Sequence, residues 1–322
     1  MNKIRTAIIG AAGYTGGELL RILVHHPNVE LVYAHSNSQK GKKVTELHPD
    51  LTGDCDLIFT DQVQTLGIDA LFLGLPHGQT TEFLSNNIFP TDTVLIDLST
   101  DYRDGSDDFV YGLPETNLSE IKKSKKIANP GCFATAIQLA LAPAIAKGWV
   151  KESIHITGLT GSTGAGKKLS ETSHFSQRNG NLSVYKLFNH QHLKEIKQNF
   201  SRLNKDFSSE ILFVPYRGNF TRGIWITTYF PFDGDENEAI DAYKEFYKDA
   251  KFTHVSENDL YLKQVVNTNK CLIQVQKQAG QIVVFSIIDN LLKGASGQAV
   301  QNFNLAFGIP ETTGLLLKSV AF

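Results

Sequence analysis

The chain has 322 residues, enough for about two domains of ordinary size. Hydrophobic residues make up 41%, charged residues 20%, and the net charge is −2, so a normal core can form and no basic stripe invites nucleic acid. No apolar run approaches the roughly 20 residues that cross a bilayer, so a membrane is not expected as a partner either.

The first residues run straight into an apolar strand, and no leader peptide is expected. Alternation then sets in. Ile4 to Ile9, Leu31 to Ala34, Leu57 to Phe59, Ala70 to Leu75 and Val94 to Leu98 read as buried strands, and Leu19, Leu20, Ile22 and Leu23 give a helical face between the first two. This predicts an α/β fold with a parallel, doubly wound sheet of Rossmann type over residues 1–131. Near Asn129-Pro130-Gly131 the texture changes. A helix is predicted from about Ala134 to Lys147. Strands follow at Ile154 to Leu159, Glu210 to Pro215, Ile224 to Phe230, Leu272 to Gln276 and Ile282 to Ile288. They predict an α+β domain over 132–294 with a mixed or antiparallel sheet. A last helix starting near Ser296, within 295–322, carries Val300, Phe303 and Phe307 on one face and is expected to pack back on the first domain. The polar segment Ser170 to Ser183 reads as a surface loop or lid.

Gly10, Gly13 and Gly16 lie in the turn Gly10-Ala11-Ala12-Gly13-Tyr14-Thr15-Gly16 between the first strand and its helix. Glycines there let backbone N–H groups approach a pyrophosphate at a helix N-terminus, so this turn, with Tyr14 and Thr15, is the expected dinucleotide site. The second strand ends in Ala34-His35-Ser36-Asn37-Ser38-Gln39-Lys40, without the carboxylate that usually holds an NAD ribose. Ser36, Ser38 and Lys40 suit a 2′-phosphate, which favours NADP(H).

Three cysteines, Cys55, Cys132 and Cys271, are too few for a disulfide framework and have no zinc-ligand spacing. A reducing, cytoplasmic setting without a metal is expected. Cys132 stands apart, because Asn129-Pro130-Gly131 presents it at the start of a helix, where the dipole favours thiolate. Gly161-Ser162-Thr163-Gly164-Ala165-Gly166-Lys167-Lys168 nearly spells a P-loop. Lys168 stands where a Mg²⁺-binding Ser or Thr is required, so an ATPase is not expected.

Asn129-Pro130-Gly131-Cys132-Phe133-Ala134-Thr135-Ala136 resembles the active-site segment of N-acyl-γ-glutamyl-phosphate reductases of arginine synthesis. Similar segments run along nearly the whole chain: Gly13 to Gly16, Leu75 to Gly78, Asp97 to Arg103, Tyr111 to Glu115, Gly161 to Gly166, His190-Gln191-His192 with Glu195, and Asp289 to Gly294. Phe133 stands where Tyr is common, Gln191 where Arg is, and Lys194 where Pro is. The stretch Pro215-Tyr216-Arg217-Gly218 is one residue shorter than the family's pattern.

The resemblance implies that NADPH reduces an acyl phosphate to an aldehyde through a thioester on Cys132. His190 or His192 would be the acid/base, with Glu195 beside them. Arg103, with Ser99 and Asn129 near it, is the candidate for the phosphate, and Arg217 for the α-carboxylate. Asn290, Gly161 and Ser162 would lie near the nicotinamide. Acetyl is the default acyl group and succinyl the alternative; Arg222 is an extra cation that could meet a second carboxylate. The resemblance also implies a homotetramer or homodimer. Aspartate-semialdehyde dehydrogenases share the Cys–His design, but the Gly-Tyr-Thr-Gly turn and the His-x-His segment favour the glutamyl enzyme. A non-catalytic NADP-binding regulator is the remaining alternative, weakened by the intact set of Cys, His and Arg.

Overall fold

A computed structural model describes residues 3–169 and 171–320, apart from the Ser173 side chain; the start of the expected 170–183 loop, Ser170, lies outside them. The chain divides into two units, residues 1–131 with 295–316, and residues 132–294 with 317–322.

The first unit runs β1 (Ile4–Ile9), α1 (Tyr14–Leu23), β2 (Val29–His35), α2 (Val44–Leu47), β3 (Phe59–Thr60), β4 (Ala70–Leu73), α3 (Thr80–Asn86), β5 (Val94–Asp97), β6 (Val110–Tyr111), α4 (Pro114–Ile121) and β7 (Lys126–Ala128). These strands form one sheet of order β3-β2-β1-β4-β5-β7-β6, every pair parallel. The inner strands are buried on both faces, which is why they read as continuous apolar runs. The chain works outward from β1 to β3 and then returns to β4. The crevice beyond the carboxyl ends of β1 and β4 is therefore the switch point where such sheets take ligands.

The second unit begins with α5 (Cys132–Ala146) and β8 (Ile154–Thr160), followed by α6 (Phe175–Arg178), β9 (Ser183–Val184), α7 (His192–Leu203), β10 (Ile211–Arg217), β11 (Ile224–Pro231), α8 (Glu236–Tyr247), β12 (Thr253–Val255), β13 (Cys271–Gln278) and β14 (Gln281–Ile288). Its sheet has the order β12-β13-β14-β11-β8-β10-β9 and is mixed, with β8–β10 and β12–β13 parallel and the other pairs antiparallel. The last helix, α9 (Ser296–Ala306), belongs to the first unit, where it packs on α1, α4 and β5. It is shorter than the expected 295–322. Asn304 accounts for the stop: its amide nitrogen bonds the carbonyls of Glu311 and Thr313, folding the following chain back as a loop. From Leu317 the chain groups with the second unit, and Asn267 Nδ2 bonds Lys318 O there.

α5 is buried almost all round, as its uniformly apolar sequence requires. It packs on β11, β14 and α7. Pro143 inside it removes the N–H that would bond Leu139 O. Tyr247 supplies the missing donor, its hydroxyl 2.6 Å from Leu139 O, and Tyr243, one turn earlier on α8, donates to Ala140 O at 2.7 Å. Tyr247→Phe would leave a buried carbonyl unmet and is expected to cost about 1–3 kcal/mol. Urea unfolding measures it; an unchanged midpoint would remove this account of how α5 tolerates its proline.

Candidate active site

In the first unit the glycine turn has a steric reason at two of its three positions. Gly10 has φ +76°, and a Cβ on it would fall 2.3 Å from Gly74 O. A Cβ on Gly16 would meet the Ala11 backbone at 2.5 Å. Gly13, by contrast, has nothing closer than Gly10 O at 3.7 Å, so the space beside it is open. Tyr14 and Thr15 start α1, whose first turn holds no acid and no side-chain cap. An uncapped helix start beside open space at the switch point is a cradle that a pyrophosphate fits.

At the end of β2, Ser36 is buried and Ser38 exposed. Lys40 is not the free cation expected from sequence. It pairs with Asp61, just past β3, at 2.6 Å, and that bond holds the Asp61 carboxyl below its usual range. Ser99 is fully buried. Its hydroxyl donates to Asp97 and accepts from Asp101 N, so it builds the turn after β5. Asp101 in turn accepts from the backbone of Gly78, Thr80 and Thr81 and caps α3. Arg103 is buried, with Nε on Asn129 O and Nη2 on Leu98 O. The Asn129 amide donates to Ala295 O and accepts from Asn302. Arg103 and Asn129 thus fix the turn that leads into Pro130-Gly131-Cys132, and a phosphate expected at Arg103 would compete with two carbonyls for its guanidinium.

In the second unit Cys132 is the first residue of α5, two residues earlier than the expected helix start, and it is part-exposed and in no disulfide. Tyr185 lies close by. Burial raises its phenol pKa, and the charge of Cys132 raises it further. The Arg217 guanidinium stacks on the Tyr185 ring at 4.6 Å. His190 packs edge-on to Tyr185, to Phe133 and to Phe213, with ring centres 5.5–5.8 Å apart. Gly158 makes room beneath, since a Cβ there would strike Phe133 at 2.6 Å and Phe213 at 2.8 Å.

The two histidines differ. His190 Nδ1 accepts the backbone N–H of His192 at 3.2 Å, which places the proton of neutral His190 on Nε2. Burial first, and then the charge of Lys186, push its pKa down to about 4. His192 opens α7 with its Nε2 3.9 Å from Glu195, both side chains buried. Between about pH 6.5 and 4 the unfolded chain holds a proton that folded His190 refuses, so stability falls with pH across that window, by up to about 3 kcal/mol. Above about pH 6.5 both states are neutral there and the effect is gone. His190→Gln is expected to flatten this slope in urea unfolding; equal slopes in variant and wild type would contradict the depressed pKa.

Asn290 is buried. Its oxygen accepts from Gly223 N at 2.7 Å and its nitrogen donates to Thr163 at 3.0 Å, tying β14's end to the turn that Gly161 and Ser162 begin. Gly161 approaches the Thr221 backbone so closely that a Cβ would lie 2.5 Å from its carbonyl oxygen. Arg222 already has an acid as its partner. It makes a two-pronged bond to fully buried Asp289, at 3.0 and 3.1 Å. Asp289 also accepts from the backbone of Asn267, Leu291 and Leu292. This turn carries Gly294, where a Cβ would lie 2.8 Å from Cys132 Cβ. Tyr185, Gly158, the Asp289–Arg222 pair and the role of Gly294 were not read from sequence. Only Gly294 and Asp289 lay inside a recognised segment.

Among the described residues no group of acids, histidines and cysteines could hold a metal, and no helix is long and apolar enough to cross a membrane.

Comparison with known proteins agrees with this layout. Residues 5–124 match the family described as semialdehyde dehydrogenase, NAD binding domain, and residues 132–290 match semialdehyde dehydrogenase, dimerisation domain. Aspartate semialdehyde dehydrogenase II from Vibrio cholerae has the same fold, with TM-score 0.75 at 16% identity over 95% of this chain and 99% of that one. The Candida albicans aspartate semialdehyde dehydrogenase with NADP gives 0.70 at 12% identity over 94% and 98%. The class is thus the two-unit semialdehyde dehydrogenases. N-acetyl-gamma-glutamyl-phosphate reductases from Christiangramia forsetii and Parabacteroides distasonis are each 52% identical over 99% of this chain and 100% of their own. The chain belongs to the N-acetyl-gamma-glutamyl-phosphate reductase family.

Proposed function

We propose that this chain reduces an N-acyl-γ-glutamyl phosphate to the N-acyl-glutamate semialdehyde with NADPH, releasing phosphate, as a step of arginine synthesis. The observation that carries the reading is Cys132 at the first turn of α5, beside Tyr185 and with Arg217 stacked on that ring, in a chain half identical to named reductases from end to end.

The Cys132 thiolate, favoured by the α5 dipole, attacks the γ-carbonyl, and phosphate leaves with the bonding electrons. An acyl thioester remains on Cys132. The Gly10–Gly16 turn would hold NADPH, which would supply the hydride that reduces this thioester. His190, neutral and carrying its proton on Nε2, is set to donate to the oxygen that gains charge, and His192 with Glu195 holds it in place. Arg217 receives the α-carboxylate. Thiolate is then expelled as the aldehyde forms.

On one face of the second unit's sheet Tyr216, Leu159, Trp225, Ile287 and Leu272 lie in one row. Leu260 and Val265 of the same unit pack on Ile287, and the other four are half-buried. A second copy of the chain covers this apolar row, in keeping with a family described by its dimerisation domain.

The test is phosphate-dependent reduction of NADP⁺, the reverse reaction, with N-acetylglutamate semialdehyde and N-succinylglutamate semialdehyde in parallel. A rate with either supports the reading and identifies the acyl group. No rate with either would overturn it.

A further inference from the structure

We propose that Arg178 is a second carboxylate-binding residue of this site, acting beside Arg217 on the same substrate. The inference rests on the reductase reading above.

Arg178 ends α6, inside the polar segment that sequence marks only as a loop or lid. Its side chain is 93% buried, being 7% exposed. Nη2 bonds Ser183 Oγ at 3.1 Å, while Nε and Nη1 have no hydrogen-bond partner among the described residues. A guanidinium keeps its charge at any physiological pH, so these are buried donors on a permanent cation. Leaving such donors unmet is costly, and native proteins do so where a ligand will meet them.

The position of Arg178 identifies the ligand. Ser183 pairs directly with Arg217 across β9 and β10, so their side chains leave the same face of the sheet. Arg178, held on Ser183 Oγ, therefore lies beside Arg217. Arg217 bonds Thr172 Oγ1 at 2.7 Å and stacks on Tyr185, whose phenol responds to the charge of Cys132. Neither arginine has an ion-pair partner among the described residues, whereas Arg5, Arg21 and Arg222 each have an acid. Two unneutralised guanidiniums next to one another, close to the thiol, form a subsite for carboxylate, which each can bind through two parallel N–H groups. The substrate offers one carboxylate on the glutamyl α-carbon. A dicarboxylic acyl group on its nitrogen would offer a second.

Arg178→Gln and Arg178→Lys, assayed in the phosphate-dependent reverse reaction with both semialdehydes, test this. Arg178→Gln is expected to raise KM for the semialdehyde about ten- to hundredfold, the range of lost charge-assisted hydrogen bonds, with KM for NADP⁺ and phosphate unchanged. Arg178→Lys should recover part of the loss. A rise with both substrates assigns Arg178 to the α-carboxylate. A rise with the succinyl substrate alone assigns it to the acyl carboxylate. Because the donors are unmet in the free protein, the thermal midpoint should not fall in Arg178→Gln, whereas a merely structural arginine would lower it. Unchanged KM with both substrates, or a lowered midpoint with all three KM values raised together, overturns the proposal. If the wild-type chain shows no rate, the reductase reading itself has failed.

Discussion

Cys132→Ser is expected to lower turnover by roughly 10⁴-fold or more, the scale seen when a covalent nucleophile is removed. The α5 N-terminus lowers the pKa of a thiol, but the same help leaves an alcohol almost wholly protonated near neutral pH. The exchange is nearly isosteric, at a part-exposed position, so fold and stability should hold. NADP⁺ binding should also hold, since its expected contacts are backbone groups of Gly10 to Gly16. Mass spectrometry after mixing wild type with acyl phosphate should show one acyl adduct on Cys132, and none in the variant. Turnover in Cys132→Ser within tenfold of wild type would sink the thioester scheme.

Gly294→Ala is the second large effect. The added Cβ would fall 2.6 Å from Asn290 O and 2.8 Å from Cys132 Cβ. The Asn290 side can hardly yield, because its side chain is stapled to Gly223 and Thr163 and Gly294 N is itself bonded to Asp289 O at 2.9 Å. Cys132 must move instead. A misplacement of about 1 Å at a reacting atom costs on the order of a hundredfold in rate, so kcat should fall by about that factor. Overpacking should also cost about 1–3 kcal/mol of stability. Comparing kcat with the unfolding free energy separates the two effects. Wild-type kcat in a folded Gly294→Ala protein would show that this contact does not position the thiol.

Much of the fold is legible in the sequence because parallel strands buried on both faces leave continuous apolar runs, and glycine turns leave spaced glycines. β6 and β7 are not legible, being two and three residues long with too little chain to show a period. The cysteine segment is legible because helix start, turn and nucleophile are neighbours in sequence. Arg178 and Tyr185 are not, because what singles them out is a missing partner in one case and a stacked cation in the other, and both depend on strand pairing. Lys40 and Arg222 looked like unattached cations for the same reason: Asp61 and Asp289, which neutralise them, arrive from 21 and 67 residues away. Gly294 sat in a recognised run, but the need for a missing Cβ there is visible only once Cys132 is beside it.

The division of the chain also bears on how it is made. The first unit opens the polypeptide yet lacks α9 until residue 306 has been synthesised, and α9 supplies Asn302, which bonds Gly112 O and the Asn129 side chain. Nearly the whole second unit emerges from the ribosome before that helix does. The unit that starts first gains its closing helix only after residues 132–294 of the second have been made, and until then its open sheet must wait with the α9 groove unfilled, a state exposed to association with other nascent chains. A release of the chain before residue 296 would leave the second unit nearly complete and the first without its closing helix.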